Sequence, residues 1–360
     1  MYPAGLSSHC LGVRVSVDQT VSPLAPIIEH LATAFVAREA LINQCHAEQT
    51  DAYRLFHGSV EGYPGLTVDR YGELLIAQTF HRPLEAAQLE ALATFYSEVL
   101  PGLILVYNDR SQSNSRIANP LAPDAMALAT QPRQFQELGV NFRIQARHAG
   151  QDPWLFLDLR AGRRRVMQEA AGKSVLNYFA YTCGVGVAAA QAGARLVVNV
   201  DFAESSLAIG RENARLNTLA TRPRFVKSDF FPAARQYAGI GQPKFVRGRS
   251  LPPFPKLEKH AFDLVFLDPP RYAKSIFGVV DVVNDYPALF KPALLSTVEG
   301  GTLICCNNVA EVEREGWLAQ LQRSAVKTGR EIRDFEWILP EADFPSPDGN
   351  PPLKMVLLRV

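Results

Sequence analysis

Phe262-Asp263-Leu264-Val265-Phe266-Leu267-Asp268-Pro269-Pro270-Arg271-Tyr272 decides the architecture of this chain. The apolar run at its start reads as a central strand of a parallel sheet, covered on both faces. Its carboxyl end carries an acid, two prolines and an aromatic. A Pro-Pro turn removes two backbone donors and leaves carbonyls to face outward. The aromatic offers a face on which a planar ligand can stack. A strand ending in that combination builds a pocket.

Working outward, strand-like and helix-like segments alternate from about Ser174. Strands are expected over Ser174–Phe179, Arg195–Asp201, Pro223–Lys227, Phe262–Asp268 and Thr302–Cys306. Helices are expected over Val185–Ala192, Glu204–Asn217, Phe231–Tyr237, Tyr286–Thr297 and Val312–Ser324. This alternation predicts an α/β fold with helices on both faces of a mostly parallel sheet. Arg333–Ile338 and Leu353–Arg359 have no helix between them and read as a closing hairpin, giving seven strands.

The pattern before Ser174 differs. Ile27–Asn43 has helical periodicity, Leu66–Asp69 and Leu74–Phe80 read as a hairpin, Leu84–Val99 as a helix, and Leu103–Tyr107 and Val140–Ala146 as strands. Asn114–Pro132 reads as a connection. The expected organisation is a partly helical extension over residues 1–50, a smaller α+β domain over 51–147, and the alternating α/β domain over 148–360.

The chain has 360 residues, 47% hydrophobic and 20% charged, with a net charge of +1. Such a composition is that of an ordinary globular protein, and any polyanion must meet local patches rather than a basic field. Cys10, Cys45, Cys183, Cys305 and Cys306 show no CxxC pairing and no metal-ligand spacing, so free thiols and no metal are expected. No apolar stretch is long enough to span a membrane, and the first thirty residues lack a basic-then-apolar leader pattern. A cytoplasmic location is the expectation. Oligomeric state leaves no mark on the sequence.

In a doubly wound sheet, ligands bind beyond the carboxyl ends of the strands, where strand order reverses. The first strand is followed by Tyr181-Thr182-Cys183-Gly184-Val185-Gly186, whose small residues admit a ligand near outward-facing N–H groups. Asp201 ends the second strand, where a carboxylate can accept from ribose hydroxyls. Asp229 follows the third and can accept from an adenine amino group, with Phe230 as an apolar edge. Asp201 and Asp229 are also residue types that cap helices. Their order, one after each strand, favours a ligand site.

Asn177-Tyr178-Phe179-Ala180-Tyr181-Thr182, Asp201, Asp229 and Asp268-Pro269-Pro270 together resemble the ordered motifs of S-adenosylmethionine-dependent large-subunit rRNA methyltransferases, in the group that makes 5-methylcytosine or 7-methylguanine. Trp154-Leu155-Phe156-Leu157-Asp158-Leu159-Arg160 is similar to that family's aromatic-leucine-aspartate-x-arginine stretch. Gly62-Tyr63-Pro64-Gly65-Leu66-Thr67-Val68-Asp69-Arg70-Tyr71-Gly72 is similar to its glycine-proline-glycine hairpin. The resemblance runs from about Asp51 to the end. It implies a class I methyltransferase fold, S-adenosylmethionine as methyl donor, and RNA of the 23S type as partner. Thr182 and Gly184, with Tyr181, would line the methionine and sulfonium end, Asp201 the ribose, and Asp229 the adenine. Asp158 and Arg160 would help fix the amino-acid moiety or close the site, although a salt bridge within the helix opened by Asp158 is the competing role. Cys183 departs from the family's usual glycine and should add a side chain close to the cofactor.

The fifth strand bears on the acceptor atom. It ends Gly300-Gly301-Thr302-Leu303-Ile304-Cys305-Cys306-Asn307-Asn308. Cytosine carbon-5 needs a cysteine thiolate adding to the ring, and the cytosine branch carries that cysteine just after this strand. Counted without gaps, Asn307-Asn308 resembles the double asparagine of the 7-methylguanine branch. Guanine N7 then needs only orientation: Asp268 or the Pro269 carbonyl on base edges, Tyr272 stacked, Asn307 or Asn308 hydrogen-bonded. One alternative is a cytosine-C5 enzyme with Cys306 as nucleophile; another, of a different class, is a non-catalytic binding protein. Arg163, Arg164, Arg165 and Lys274 either hold phosphates or form a solvated helix face. Gly239–His260 carries Lys244, Arg247, Arg249, Lys256 and Lys259 among four prolines, and is either an RNA-facing loop or a solvated insertion.

Overall fold

The computed structural model describes residues 25–112, 121–150, 152–243, 245–246 and 248–360. It opens with two helices, α1 (Ala25–Ala37) and α2 (Glu39–Ala47), where periodicity predicted one. The break falls at Arg38, a buried residue whose guanidinium donates to the carbonyls of Ala34 and Arg54 and pairs with Glu61. A four-stranded sheet follows, in the order β1 (Ala52–His57), β2 (Leu66–Tyr71), β3 (Leu74–Thr79) and β4 (Ile104–Asp109), with α3 (Ala86–Val99) crossing from β3 to β4. The first of these strands was not anticipated. Ala52, Tyr53, Leu55 and Phe56 are all buried, so the polar/apolar alternation that marks a half-wet strand is missing.

Within the expected connection lies α4 (Pro123–Thr130); residues 114–120 of that stretch are outside the described residues. The hairpin β5 (Arg133–Glu137) and β6 (Val140–Ile144) leads by a short 3-10 turn, Leu157–Leu159, into α5 (Arg160–Glu169). From there the chain alternates: β7 (Ser174–Tyr178), α6 (Gly184–Gln191), β8 (Leu196–Asp201), α7 (Glu204–Arg215), β9 (Arg224–Lys227) and α8 (Phe230–Tyr237). Two hairpins of two and three residues per strand, β10 (Phe245–Val246) with β11 (Arg249–Ser250) and β13 (Tyr272–Lys274) with β14 (Val279–Asp281), flank β12 (Phe262–Leu267). The chain closes with α9 (Tyr286–Leu295), β15 (Thr297–Asn307), α10 (Arg314–Val326), β16 (Asp334–Ile338) and β17 (Lys354–Arg359).

The seven-stranded sheet has the order β16-β17-β15-β12-β7-β8-β9, and β17 alone runs against the rest. This is the class I methyltransferase arrangement, with its closing hairpin. Strand order reverses between β7 and β12, which is where a doubly wound sheet opens a crevice for a ligand.

Register explains why the motifs meet. Val226, Val200, Tyr178, Leu267 and Cys305 lie side by side across β9, β8, β7, β12 and β15. One residue further along each strand stand Lys227, Asp201, Phe179, Asp268 and Cys306. Strand ends scattered along the chain from Phe179 to Cys306 therefore share one rim.

One face of the sheet packs on α8, α9 and α10 through Tyr286, Phe290 and Trp317. The other packs on α5 and α6 through Val166, Val185 and Ala189. A third core joins the two parts of the chain: Tyr71, Phe135 and Phe142 pack with Leu155, Val187 and Leu207. Tyr71 and Phe135 meet edge to face at 5.1 Å, a geometry worth about 0.5–1.5 kcal/mol beyond its area. The small sheet has its own core as well, built on Leu31, Phe56, Leu75 and Tyr96.

Candidate active site

The loop after β7 is strained. Phe179, Tyr181 and Cys183 have φ of 55°, 48° and 63°, three of the five non-glycine residues with left-handed backbone among the described residues. Each such residue costs roughly 1–2 kcal/mol, and clustering of that kind is a mark of functional loops. Asp201 holds the loop in place. Its Oδ2 accepts from the Tyr181 N–H and its Oδ1 from the Ala203 N–H, both at 2.8 Å. Burial pushes its carboxyl above the usual range, against those two bonds.

Two cavity lobes meet at this point, sharing Phe179, Asp201, Phe202 and Pro270. One, of about 490 Å³, is lined by Ser228, Asp229, Phe230, Phe231 and residues of the β13–β14 turn. Asp229 caps α8, its Oδ1 accepting from Phe231 N–H at 2.9 Å, and the residue also lines the lobe. The other lobe, of about 510 Å³, is lined by Trp154, Tyr181, Thr182, Gly184, Asp268, Pro269 and Asn308. Gly184 opens α6 there. A Cβ at that position would lie 2.4 Å from the Leu155 Cδ1, so a side chain there would have to displace that methyl group. The Thr182 hydroxyl donates to the Trp154 carbonyl, and its own carbonyl accepts from the Asn213 amide at 3.1 Å. Among the residues that sequence reasoning passed over, Phe202 is 69% exposed and sits between the lobes, and Phe179 stacks on Phe230 at 4.8 Å. The signal available for Phe202 was its place directly after the strand-end Asp201.

At the other end, Asp268 sits in an apolar setting beside a second carboxylate, Asp158. Burial first, and Asp158 next, push its carboxyl up to about 7. Tyr272 is 60% exposed at the start of β13, free to stack on something outside the chain. The asparagine pair divides. Asn308 is exposed and lines the cavity. Asn307 is buried, donating to the Val282 carbonyl at 3.3 Å and accepting from Val309 N–H at 3.1 Å. It therefore shapes the turn that carries Asn308 and does not face a substrate. Cys305 and Cys306 are buried, Cys306 in the core on the α5–α6 side, and burial drives the Cys306 thiol well above its ordinary range. It neither lines the cavity nor favours a thiolate.

Several expectations are corrected. Arg160 does not reach the cavity: it is buried, paired with Glu341 and Asp343, and donates to the Ala52 carbonyl at 2.9 Å. Asp158, expected beside it on the cofactor, does not line either lobe; burial raises its carboxyl, with Arg54 and Arg163 opposing. The three arginines offered for phosphates are already engaged. Arg163 is buried in a fork with Glu137, Arg164 pairs with Glu48 and Glu341, and Arg165 pairs with Glu169 and Glu336. The Cys183 side chain turns away from the cavity and packs toward Gly210 of α7. In the insertion, Lys244 and Arg247 and the side chain of Arg249 lie outside the described residues, while Lys256 and Lys259 are exposed. Among the described residues no three metal-binding side chains come together, and no helix is long and apolar enough to cross a membrane.

The family model described as S-adenosylmethionine-dependent methyltransferase matches residues 53–359. The chain belongs to this family. It is a class I methyltransferase whose methyl donor is S-adenosylmethionine. Among named relatives, ribosomal RNA large subunit methyltransferase I of Aeromonas hydrophila is 29% identical over 327 residues, covering 88% of this chain and 75% of its own. The protein of that name in Shigella flexneri is 28% identical over 302 residues, covering 82% and 70%. Among solved structures, SMU.776, described as a candidate methyltransferase complexed with SAH, superposes with a TM-score of 0.72 at 22% identity, over 95% of this chain and 83% of its own. An Agrobacterium tumefaciens methyltransferase gives a TM-score of 0.53 at 16% identity, over 82% and 87%. These two likenesses speak to the fold.

Proposed function

We propose that this methyltransferase acts on a base of large-subunit rRNA, with guanine N7 as the acceptor atom. The observation that carries the choice of atom is the end of β15, where Asn308 faces the cavity and Cys306 is buried behind it. Methylation at cytosine carbon-5 needs a thiolate within reach of the ring. Guanine N7 has a free lone pair and requires no covalent partner and no base. Support for rRNA comes from the relatives in Aeromonas hydrophila and Shigella flexneri, which carry that substrate in their names.

The residues fit the donor by their chemistry. A carboxylate at the junction of two lobes, an aromatic lobe on one side and an acid-lined lobe on the other match a ribose, a purine and an amino-acid sulfonium. Asp201 would accept from the ribose hydroxyls, Asp229 from the adenine amino group beside Phe230, and Tyr181, Thr182 and Gly184 would line the methionine end. When bound, S-adenosylmethionine supplies an electrophilic methyl carbon on a sulfonium. The chain's part is to orient the acceptor in line and to exclude water. Asp268 and the Pro269 carbonyl would hold the base edge, Tyr272 its face, and Asn308 a second edge. Asn307 acts as a positioning residue for Asn308. The exposed cation Arg271 flanks this end and Lys274 the other lobe, and both can meet phosphates. A base held in a helix would have to be flipped out, at a cost of a few kcal/mol.

Mass spectrometry of nucleosides in rRNA from cells lacking the protein tests the reading. Loss of 7-methylguanosine is expected, restored by wild type and by Cys306→Ser but not by Asn308→Ala. Loss of 5-methylcytosine instead, with no rescue by Cys306→Ser, would move the reaction to carbon.

A further inference from the structure

The insertion between α8 and β12 does not simply stand in solvent. Pro253, Phe254 and Pro255 line the same lobe as Asp229 and Phe230. Phe254 is half-buried and meets Phe277 of the β13–β14 turn edge to face at 5.9 Å, so two separate loops join over the lobe. The segment is also fastened. Gln236 of α8 donates to the carbonyls of Pro232 at 2.9 Å and Pro255 at 3.0 Å, and its Oε1 accepts from the Leu257 N–H at 2.9 Å. Leu257 packs on the main core. Prolines on both sides of Phe254 restrict the backbone further. The cations Lys256 and Lys259 point to the surface while the aromatic turns inward.

We infer that Pro253-Phe254-Pro255 forms a wall of the adenine-binding end of this site, with Phe254 packing on the purine and Gln236 as the residue that positions it. The inference rests on the assignment of adenine to the Asp229 lobe. An aromatic wall discriminates a flat purine from solvent, and removing one such contact weakens binding about 5- to 150-fold. The insertion thereby contributes cofactor affinity, whatever its cations do at the surface.

Calorimetric titration of the full chain with S-adenosylhomocysteine and with 5′-methylthioadenosine, which keeps the adenosine but lacks the amino acid, tests this. Phe254→Ala should weaken both ligands by the same factor, with unchanged thermal stability. Gln236→Ala, which leaves every lining side chain in place, should weaken both by a smaller factor. The double variant should lose little more than Phe254→Ala alone, since Gln236 acts through Phe254. Asp229→Asn, which keeps an acceptor for the α8 cap, reports on the lobe itself. If Asp229→Asn weakens binding and Phe254→Ala does not, the wall is refuted and the adenine assignment stands. If neither changes binding, adenine lies elsewhere and both fall. A loss confined to S-adenosylhomocysteine would place Phe254 at the amino-acid end and refute the wall.

Discussion

Asp201 at the end of β8 accepts the Tyr181 N–H at 2.8 Å, tying the second strand end to the strained loop that follows the first. Its other oxygen accepts from Ala203. An amide can accept at one of these positions only. Asp201→Asn should therefore leave one buried N–H facing an NH2 group, at a cost of about 1–3 kcal/mol. Urea unfolding should register that loss together with at least about tenfold weaker S-adenosylhomocysteine binding, as expected when a charged hydrogen-bond partner is removed. Unchanged stability would mean that the loop holds its left-handed residues without Asp201.

Cys183 and Gly210 form a complementary pair. A Cβ at Gly210 would lie 2.5 Å from the Cys183 Sγ and 3.3 Å from Phe225. Alanine in a helix normally gains up to about 1 kcal/mol over glycine. Overpacking here costs about 1–3 kcal/mol and should win. Gly210→Ala is thus expected to lower the melting temperature, and Cys183→Gly in the same chain to restore most of it. If Cys183→Gly fails to rescue, the pairing is not what excludes the methyl group.

Glu137 on the β5–β6 hairpin closes a two-bond fork on Arg163 of α5, with one arm at 2.8 Å and both side chains buried. Taking away one partner of such a pair leaves a buried charge without compensation, a loss of about 3–5 kcal/mol. Glu137→Gln should produce a drop of that size in denaturant unfolding. A loss under about 1 kcal/mol would show that the hairpin docks by its apolar contacts alone.

Asp268 gives the protein a pH signature. Its carboxyl titrates near 7 in the folded chain against about 3.9 unfolded. Between those values the native state binds the extra proton, so the group's contribution is full below about pH 4 and is lost as pH rises through 7. Asp268→Asn removes that loss. Its unfolding midpoint, compared with wild type at pH 5, 6 and 8, should move in favour of the variant as pH rises. A gap that closes instead would mean that Asp268 is ionised and paired in the folded chain.

Most of the large sheet could be read from the sequence. Ser174–Tyr178, Leu196–Asp201 and Phe262–Leu267 are buried on both faces, so each is an apolar run with an informative end. Arg133–Glu137 and Ala52–His57 were not read. The former carries Arg133 and Glu137 inward as ion-pair partners, and the latter is buried along both faces despite lying at a sheet edge. Hydrophobic periodicity has no purchase on either.

The sequence by itself determined which groups stand at the strand ends and in what order, because strand alternation and turn chemistry are local. From that order follow the sheet, its switch point and the rim where Asp201, Phe179 and Asp268 meet. Only the tertiary structure decided which of those groups face the cavity. Arg160 is held by Asp343, 183 residues away, and Arg163 by Glu137 on the β5–β6 hairpin. Asn307 and Asn308 are neighbours in sequence, yet one is turned into the core to bind Val282 and the other outward to the site. Side-chain direction and ion pairing depend on residues brought together from far along the chain, and no local pattern records them.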